Sequence, residues 1–181
     1  MILGIDPGTH RCGYGIVERR GNRFVHIAHG VIRAPTNAEL PDRLAAIATG
    51  LEEVLRAHPV AAVAIESVFF HRDAHAALTL GHARGVAMLV AARAGLSVAE
   101  YSPAVVKRAV SGSGKAEKAQ VSAMIRAMLG LSELPGFDAT DALAIAICHA
   151  SGKGVLDAIA AVRAGAPVAR RRRRSGAVRK A

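Results

Sequence analysis

The run Val60–Ile65, with the sequence VAAVAI, most constrains how this chain can fold. Six consecutive apolar residues of this kind are typical of a central strand whose two faces are both covered. Residues 1–5 form a second apolar run, and Gly13–Arg19 and Phe24–Ile32 are also strand-like. The three runs within residues 1–32 are joined by short polar turns, so they predict an antiparallel meander.

The rest of the chain alternates helix-like and strand-like segments. Leucine or isoleucine recurs every three or four residues, at Leu40, Leu44, Ile47, Leu51 and Leu55. This apolar stripe predicts a helix, which Pro59 ends. One more strand is predicted at Ser97–Tyr101, and further helices at Asp73–Ala94, Pro103–Val110, Ala116–Leu129 and Asp138–His149. The order β-β-β-α-β-α-β-α-α-α predicts an α/β fold with a mixed five-stranded sheet and helices on both faces.

The net charge of +10 is concentrated at the carboxyl end of the sequence. Residues 167–181 contain seven basic residues and no acid, which leaves a net charge of +3 for residues 1–166. A block of like charges cannot build a packed core, so we expect one domain over 1–166 followed by a basic, disordered tail at 167–181. Such a tail binds polyanions, above all nucleic acid; the alternative is a tail that only improves solubility.

Composition excludes several classes of protein. With 181 residues, 51% of them hydrophobic, the chain has enough apolar material for a core, which excludes disorder as its main state. Cys12 and Cys148 lack C-x-x-C spacing, so neither a disulfide framework nor a cysteine zinc site is indicated. The opening segment has no basic region before an apolar one, and no run of about 18 apolar residues occurs. We therefore expect a soluble cytoplasmic protein without membrane contact.

Four of the 14 acidic residues stand at the ends of apolar segments instead of on polar faces. Asp6 follows MILGI, Glu66 follows VAAVAI, and Asp138 and Asp141 open an otherwise apolar helix. Desolvating an unpaired carboxylate costs several kcal/mol, and no basic residue adjoins any of the four in sequence. The first strand and the strand after the first helix can be neighbours in a mixed sheet, and residues three apart share a helix face. The four carboxylates can therefore converge.

Clustered carboxylates of this kind suit a hard divalent cation, Mg²⁺ or Mn²⁺. Two such ions, about 4 Å apart, support in-line hydrolysis of a phosphodiester. For Asp138 alone, the alternative is a helix N-cap, in which the carboxylate accepts a backbone N–H. That alternative explains all four acids together poorly.

The glycine-rich segment 4–17, GIDPGTHRCGYGIV, also fits a nucleotide-phosphate loop like that of actin and sugar-kinase ATPases. Those proteins clamp the nucleotide between two such domains, whereas 181 residues supply one. The segment 111–115, SGSGK, matches a P-loop weakly, because Ala109 and Ala116 replace the first glycine and the Mg-binding hydroxyl residue. We reject a P-loop. The glycines beside Lys115 fit either close approach of a DNA backbone or an ordinary flexible turn.

Four segments together resemble the RuvC family of bacterial Holliday-junction resolvases, in the ribonuclease H-like superfamily: GIDPGTHRCGYGIV, AIESVFFHRDAHAALTLGHARGVA, SGSGKAEKAQV and DATDALAIAI. The resemblance covers most of residues 1–151. It implies a ribonuclease H-like fold and an endonuclease that resolves Holliday junctions by paired symmetric nicks in recombination and DNA repair. The catalytic, metal-binding acids that it implies are Asp6, Glu66, Asp138 and Asp141, with two Mg²⁺ ions per active site, for which Mn²⁺ can substitute. Some relatives carry His at the position of Asp138.

The resemblance also implies DNA contacts. Lys107 and Lys118 match basic residues involved in junction binding and catalysis; the alternative for both is an ordinary solvated helix face. Phe69 matches an aromatic residue that stacks on a base at the opened crossover, with packing in a core or loop as its alternative. Other functions to consider are a YqgF-like nuclease, an RNase H acting on RNA, and a basic-tailed DNA-binding protein whose acids are structural.

Two symmetric nicks in a four-way junction require two active sites, and the chain carries one set of four acids. We therefore expect a homodimer on four-way junction DNA. Its interface is predicted on the Asp73–Ala94 helix, where Ala77, Gly81 and Gly85 fall four residues apart. The alternative is that these small residues pack against the chain's own sheet. The RuvA–RuvB branch-migration complex is a candidate partner.

Overall fold

The computed structural model describes residues 1–67 and 74–152. Within these residues the strands and helices follow the order that the sequence predicts. The strands are β1 Ile2–Asp6, β2 Arg11–Arg20, β3 Arg23–Arg33, β4 Ala62–Glu66 and β5 Ser97–Tyr101. The helices are α1 Leu40–Ala57, α2 Ala74–Arg93, α3 Pro103–Ser111, α4 Lys118–Leu129 and α5 Phe137–Ala150.

The strands form one five-stranded sheet in the order β3-β2-β1-β4-β5. β1, β2 and β3 are antiparallel neighbours, which confirms the predicted meander. β4 pairs parallel with β1, and β5 pairs parallel with β4. The mixed five-stranded sheet is therefore confirmed, and the parallel strands β1 and β4 end at the same edge of it.

Helices cover both faces of the sheet, as the apolar strand β4 predicts. On one face, α5 packs with α3 and α4 in a core that includes Leu143, Ile145 and Ile147. On the other, α1 and α2 pack in a core that includes Ile47 and Leu51. β4 alternates between the two, because Ala64 belongs to the first core and Val63 and Ile65 to the second.

Two glycines in neighbouring strands allow α5 to lie very close to the sheet. A Cβ atom at Gly4 would come within 2.1 Å of the carbonyl oxygen of Ala142, and one at Gly13 within 2.0 Å of the carbonyl oxygen of Asp138. No real side chain tolerates such distances, so both positions require glycine at this helix–sheet separation. The glycines thereby hold α5 against β1 and β2, with its first turn over the start of β2.

Two expectations from composition can be compared with the described residues. Cys12 and Cys148 are both buried in the apolar cores, where each serves as a small apolar side chain. None of the described helices combines the length and the apolar character that crossing a bilayer requires.

Candidate active site

Asp6 and Glu66 are the last residues of two neighbouring parallel strands. The register pairs Ile5 of β1 with Ile65 of β4, so the next residue of each strand leaves the sheet at the same edge. The predicted proximity of the two carboxylates is therefore confirmed. It follows directly from the parallel pairing of β1 and β4.

Asp138 and Asp141 belong to the first two turns of α5. The N-cap of this helix is Gly136, and no side chain caps it, so the N-cap alternative for Asp138 is wrong. The backbone of Asp138 lies against Gly13, and Gly13 is the register partner of Asp6. The start of α5 therefore lies over the end of β1, beside the acids of the strands.

Electrostatics confirm that the acids share one region. Burial, followed by the charges of Glu66, Asp141 and Asp138, raises the pKa of Asp6 from 3.8 to about 7, and Lys118 opposes the rise. Burial and Asp141 also raise the pKa of Glu66, while Lys118 and Lys107 lower it. The carboxylates repel one another in partly desolvated surroundings, which leaves negative charge that a cation can neutralise.

Two acids of the cluster have basic partners from distant parts of the chain. Nε of Arg11 donates to Oδ2 of Asp138 at 2.6 Å, and Nζ of Lys118 lies 3.4 Å from Oδ2 of Asp141. Arg11 was not among the site residues predicted from the sequence. Its position at the start of β2 was the available signal, because an antiparallel hairpin returns that strand past Asp6.

The side chains do not form a closed metal cage in this conformation. Among residues 1–67 and 74–152, no three His, Cys, Asp or Glu side chains are arranged to share one metal ion. Mutual repulsion and the pairs with Arg11 and Lys118 explain this, because each pair turns a carboxylate toward a basic group. The donor set itself, four carboxylates with raised pKa values at two of them, has the chemistry that a hard divalent cation requires.

A cleft of about 270 Å³ brings two of the acids together with two lysines. Glu66 and Asp141 line it, along with Lys107 of α3 and Lys118, the first residue of α4. The structure thus places both predicted DNA-binding lysines beside the acid cluster. Lys118 also lies 5.9 Å from the ring centroid of Phe137, an aromatic residue that is 70% exposed and precedes Asp138.

Two predicted DNA-binding parts of the chain cannot be located relative to this site. Phe69 and the basic segment 167–181 lie outside the described residues.

Gly112, in the segment proposed for close approach of DNA, has φ +82° and serves as the left-handed C-cap of α3. Its conformation therefore accounts for that glycine without a ligand.

The mixed sheet, with acids at the ends of β1 and β4 and at the start of the helix that crosses them, has the ribonuclease H-like fold. The yeast mitochondrial Holliday junction resolvase Ydc2 shares this fold, with a TM-score of 0.60 at 13% identity over 87% of this chain and 82% of that one.

The family model for the crossover junction endodeoxyribonuclease RuvC matches residues 2–149. A RuvC from Citrifermentans bemidjiense is 48% identical over 155 residues, which cover 86% of this chain and 94% of the relative. The structure of Thermus thermophilus RuvC in complex with a Holliday junction substrate matches with a TM-score of 0.78 and 36% identity, over 82% of this chain and 92% of that one. The chain therefore belongs to the RuvC family.

Proposed function

We propose that this protein is an endonuclease of bacterial cytoplasm that resolves four-way DNA junctions by metal-dependent hydrolysis of phosphodiesters. The observation that carries this proposal is the joint placement of Asp6, Glu66, Asp138 and Asp141 at one edge of the sheet, beside a cleft with two lysines. The Thermus thermophilus relative, similar over most of both chains, has been solved with a Holliday junction substrate, which supports the same DNA structure as substrate.

The four carboxylates would hold Mg²⁺, or Mn²⁺ in its place, with two ions per active site. When bound there, such cations would supply positive charge for activating water and for stabilising the leaving oxygen. Carboxylates from two rigid strands and one helix suit this task, because the elements that carry them pack in the core. The raised pKa of Asp6 has a further consequence, since its proton must leave before the carboxylate can act as a ligand.

Lys107 and Lys118 would bind phosphates of the cleaved strand. Both lower the pKa of Glu66 by proximity, so their charges lie within the field of the acid cluster. A phosphodiester entering the cleft meets positive charge on its α3 and α4 side and the carboxylates on the other. This arrangement orients the backbone without reading bases, as expected for an enzyme that recognises a DNA shape.

Substrate choice is tested by comparing three labelled substrates of equal length: a four-way junction, a linear duplex and an RNA·DNA hybrid. We expect Mg²⁺-dependent cleavage of the junction alone, leaving 5′-phosphate and 3′-hydroxyl ends. Preferred cleavage of the hybrid would identify an RNase H instead. Junction binding without any cleavage in Mg²⁺ or Mn²⁺ would leave a DNA-binding protein whose acids are structural.

We further propose that the active form is a homodimer joined through α2. One face of this helix packs in the core on the sheet through Ala87, Val90 and Ala91. The opposite face lines an apolar hollow of about 820 Å³, next to Leu78 and Leu89, which are 66% and 57% exposed. Among residues 1–67 and 74–152, no atom lies within 4 Å of a Cβ built at Gly81 or at Gly85, so packing against the described sheet does not explain these glycines.

An open apolar face of this kind fits a second copy of the same helix, and a two-fold dimer supplies the two active sites that paired nicks need. Light scattering at micromolar concentration is expected to give twice the chain mass of 18.8 kDa. Gly81→Trp should shift the protein toward monomer, whereas Gly136→Trp, at an open site away from α2, should not. A wild-type protein that remains monomeric, free and on junction DNA, would contradict the dimer.

The domain boundary is also a proposal. We place the nuclease domain at residues 1–166 and a basic tail at 167–181. The family match ends at residue 149, and all seven basic residues of the last segment follow it. The tail would add affinity for DNA of any shape through counterion release.

A further inference from the structure

The ion pair between Arg11 and Asp138 joins the first residue of β2 to the first turn of α5. The Arg11 side chain is 50% exposed and that of Asp138 is 30% exposed. Because water reaches both partners, the pair contributes little to folding stability and can exchange for other charged partners. It differs in this respect from a buried structural salt bridge.

Arg11 also lies opposite another arginine. In the antiparallel ladder its register partner is Arg33, so the two side chains emerge on the same face of the hairpin. Like charges directly opposite each other are unfavourable unless an anion lies between or beside them. In the absence of DNA, the carboxylate of Asp138 is the anion beside Arg11. In a complex with DNA, a backbone phosphate is the anion of matching geometry, because a guanidinium binds phosphate oxygens in a fork.

A guanidinium held on Asp138 competes with a metal ion for the same carboxylate. While the pair is formed, one of the four proposed ligands is neutralised, and the free protein binds divalent cations less tightly. When a phosphate takes the guanidinium, the carboxylate is released for the metal. Binding free energies that are coupled in this way are reciprocal, so metal and DNA each strengthen the binding of the other.

We infer that Arg11 is an exchangeable partner of Asp138, bound to the carboxylate in the free protein and to a DNA phosphate in the complex. Arg11 is thus a positioning residue that couples metal binding to DNA binding. The inference rests on the proposed function, because it takes Asp138 as a metal ligand. It predicts opposite effects of one substitution on two ligands.

The test uses Arg11→Gln in the full-length protein. Mn²⁺ is titrated without DNA, and the free ion is counted by electron paramagnetic resonance. On the scale of exposed ion pairs, the Kd for Mn²⁺ should fall by about three- to fivefold. Junction affinity measured in EDTA should decrease, and the salt dependence of log K should lose about one unit of slope.

Arg33→Gln is the matched control, because it removes an equal charge at the opposite register position and leaves the Arg11–Asp138 pair intact. An equal fall in the Mn²⁺ Kd for both variants would show only a general field effect and would overturn the inference. Unchanged or weaker Mn²⁺ binding in Arg11→Gln would overturn it too.

Asp141→Asn separates this inference from the proposed function. If the acids hold metal, this variant loses Mn²⁺ affinity whatever Arg11 does. Loss in Asp141→Asn without a gain in Arg11→Gln would reject the coupling role of Arg11 alone. No change in either variant would reject the metal site and the inference with it.

Discussion

In the folded protein, burial and three neighbouring acids raise the pKa of Asp6 to about 7, so its carboxyl group keeps its proton up to about that pH. Replacing Asp6 by Asn removes this carboxyl group. In the unfolded chain the pKa of this carboxyl returns to its ordinary value of 3.8. Between these values unfolding releases a proton, so the metal-free wild type becomes less stable as pH rises. The Asn side chain has nearly the same shape and does not ionise. As pH rises, the free energy of unfolding of Asp6→Asn should therefore exceed that of the wild type by an increasing amount. We call this difference the stability gap.

The size of the gap follows from the two pKa values. Each pKa unit corresponds to 1.36 kcal/mol, so the electrostatic cost of Asp6 reaches about 4 kcal/mol above pH 7 and vanishes below about pH 4. This is an upper bound, because side chains and water relax around the charge. A rise in the stability gap of about 2–4 kcal/mol across this range is the expected result.

The assay is urea unfolding in EDTA at fixed protein concentration, at intervals between about pH 4 and pH 9. Glu53→Gln, on the exposed face of α1, controls for the loss of a carboxylate in general. Adding Mg²⁺ at high pH should then stabilise the wild type and leave Asp6→Asn unchanged, because a ligand that binds the folded state raises its stability. A gap between Asp6→Asn and wild type that stays constant across the pH range would refute this electrostatic description.

Three further changes have expected results of different kinds. Gly4→Ala should destabilise the fold by about 3 kcal/mol in urea unfolding, since its Cβ would collide with Ala142, whereas Gly136→Ala, in open space, should cost less than about 1 kcal/mol. Phe69→Ala should slow junction cleavage while thermal unfolding stays nearly unchanged; a loss of about 3–5 kcal/mol would indicate that the ring packs in a core instead. Deleting residues 167–181 should weaken binding to all DNA shapes alike and reduce the salt slope of log K by up to about 6, and an unchanged slope would show that the tail does not contact DNA.

The secondary structure was largely predictable because local pattern and tertiary environment agree. Of the apolar run VAAVAI, Ala62–Ile65 lie in β4, an interior strand covered on both faces; the middle strand of the sheet is β1. Pairing β1 beside β4 then brings Asp6 and Glu66 together, since parallel strands end at a common edge. Those two acids could be located from sequence because each ends its own strand.

The charge partners of the acids could not be predicted in the same way. Arg11 and Asp138 are separated by 127 residues, and their contact depends on the β1–β2 register together with the close seating of α5 on Gly13. The predicted hairpin brings Arg11 near Asp6, but no local pattern encodes the seating of α5 that brings Asp138 to Arg11. The open face of α2 was equally hidden, because a row of small residues serves a helix–sheet contact as well as a helix–helix contact. Only the position of the helix on the sheet distinguishes these uses for Gly81 and Gly85.

The central claim is that the four acids carry out the chemistry while other groups hold the DNA. Single-turnover cleavage of a four-way junction by Glu66→Gln, measured beside its junction affinity, tests this most directly. Removal of this proposed metal ligand should abolish cleavage and leave junction affinity close to that of wild type, because Lys107 and Lys118 remain in place. Cleavage by Glu66→Gln at a rate near that of the wild type would contradict the assignment of the active site.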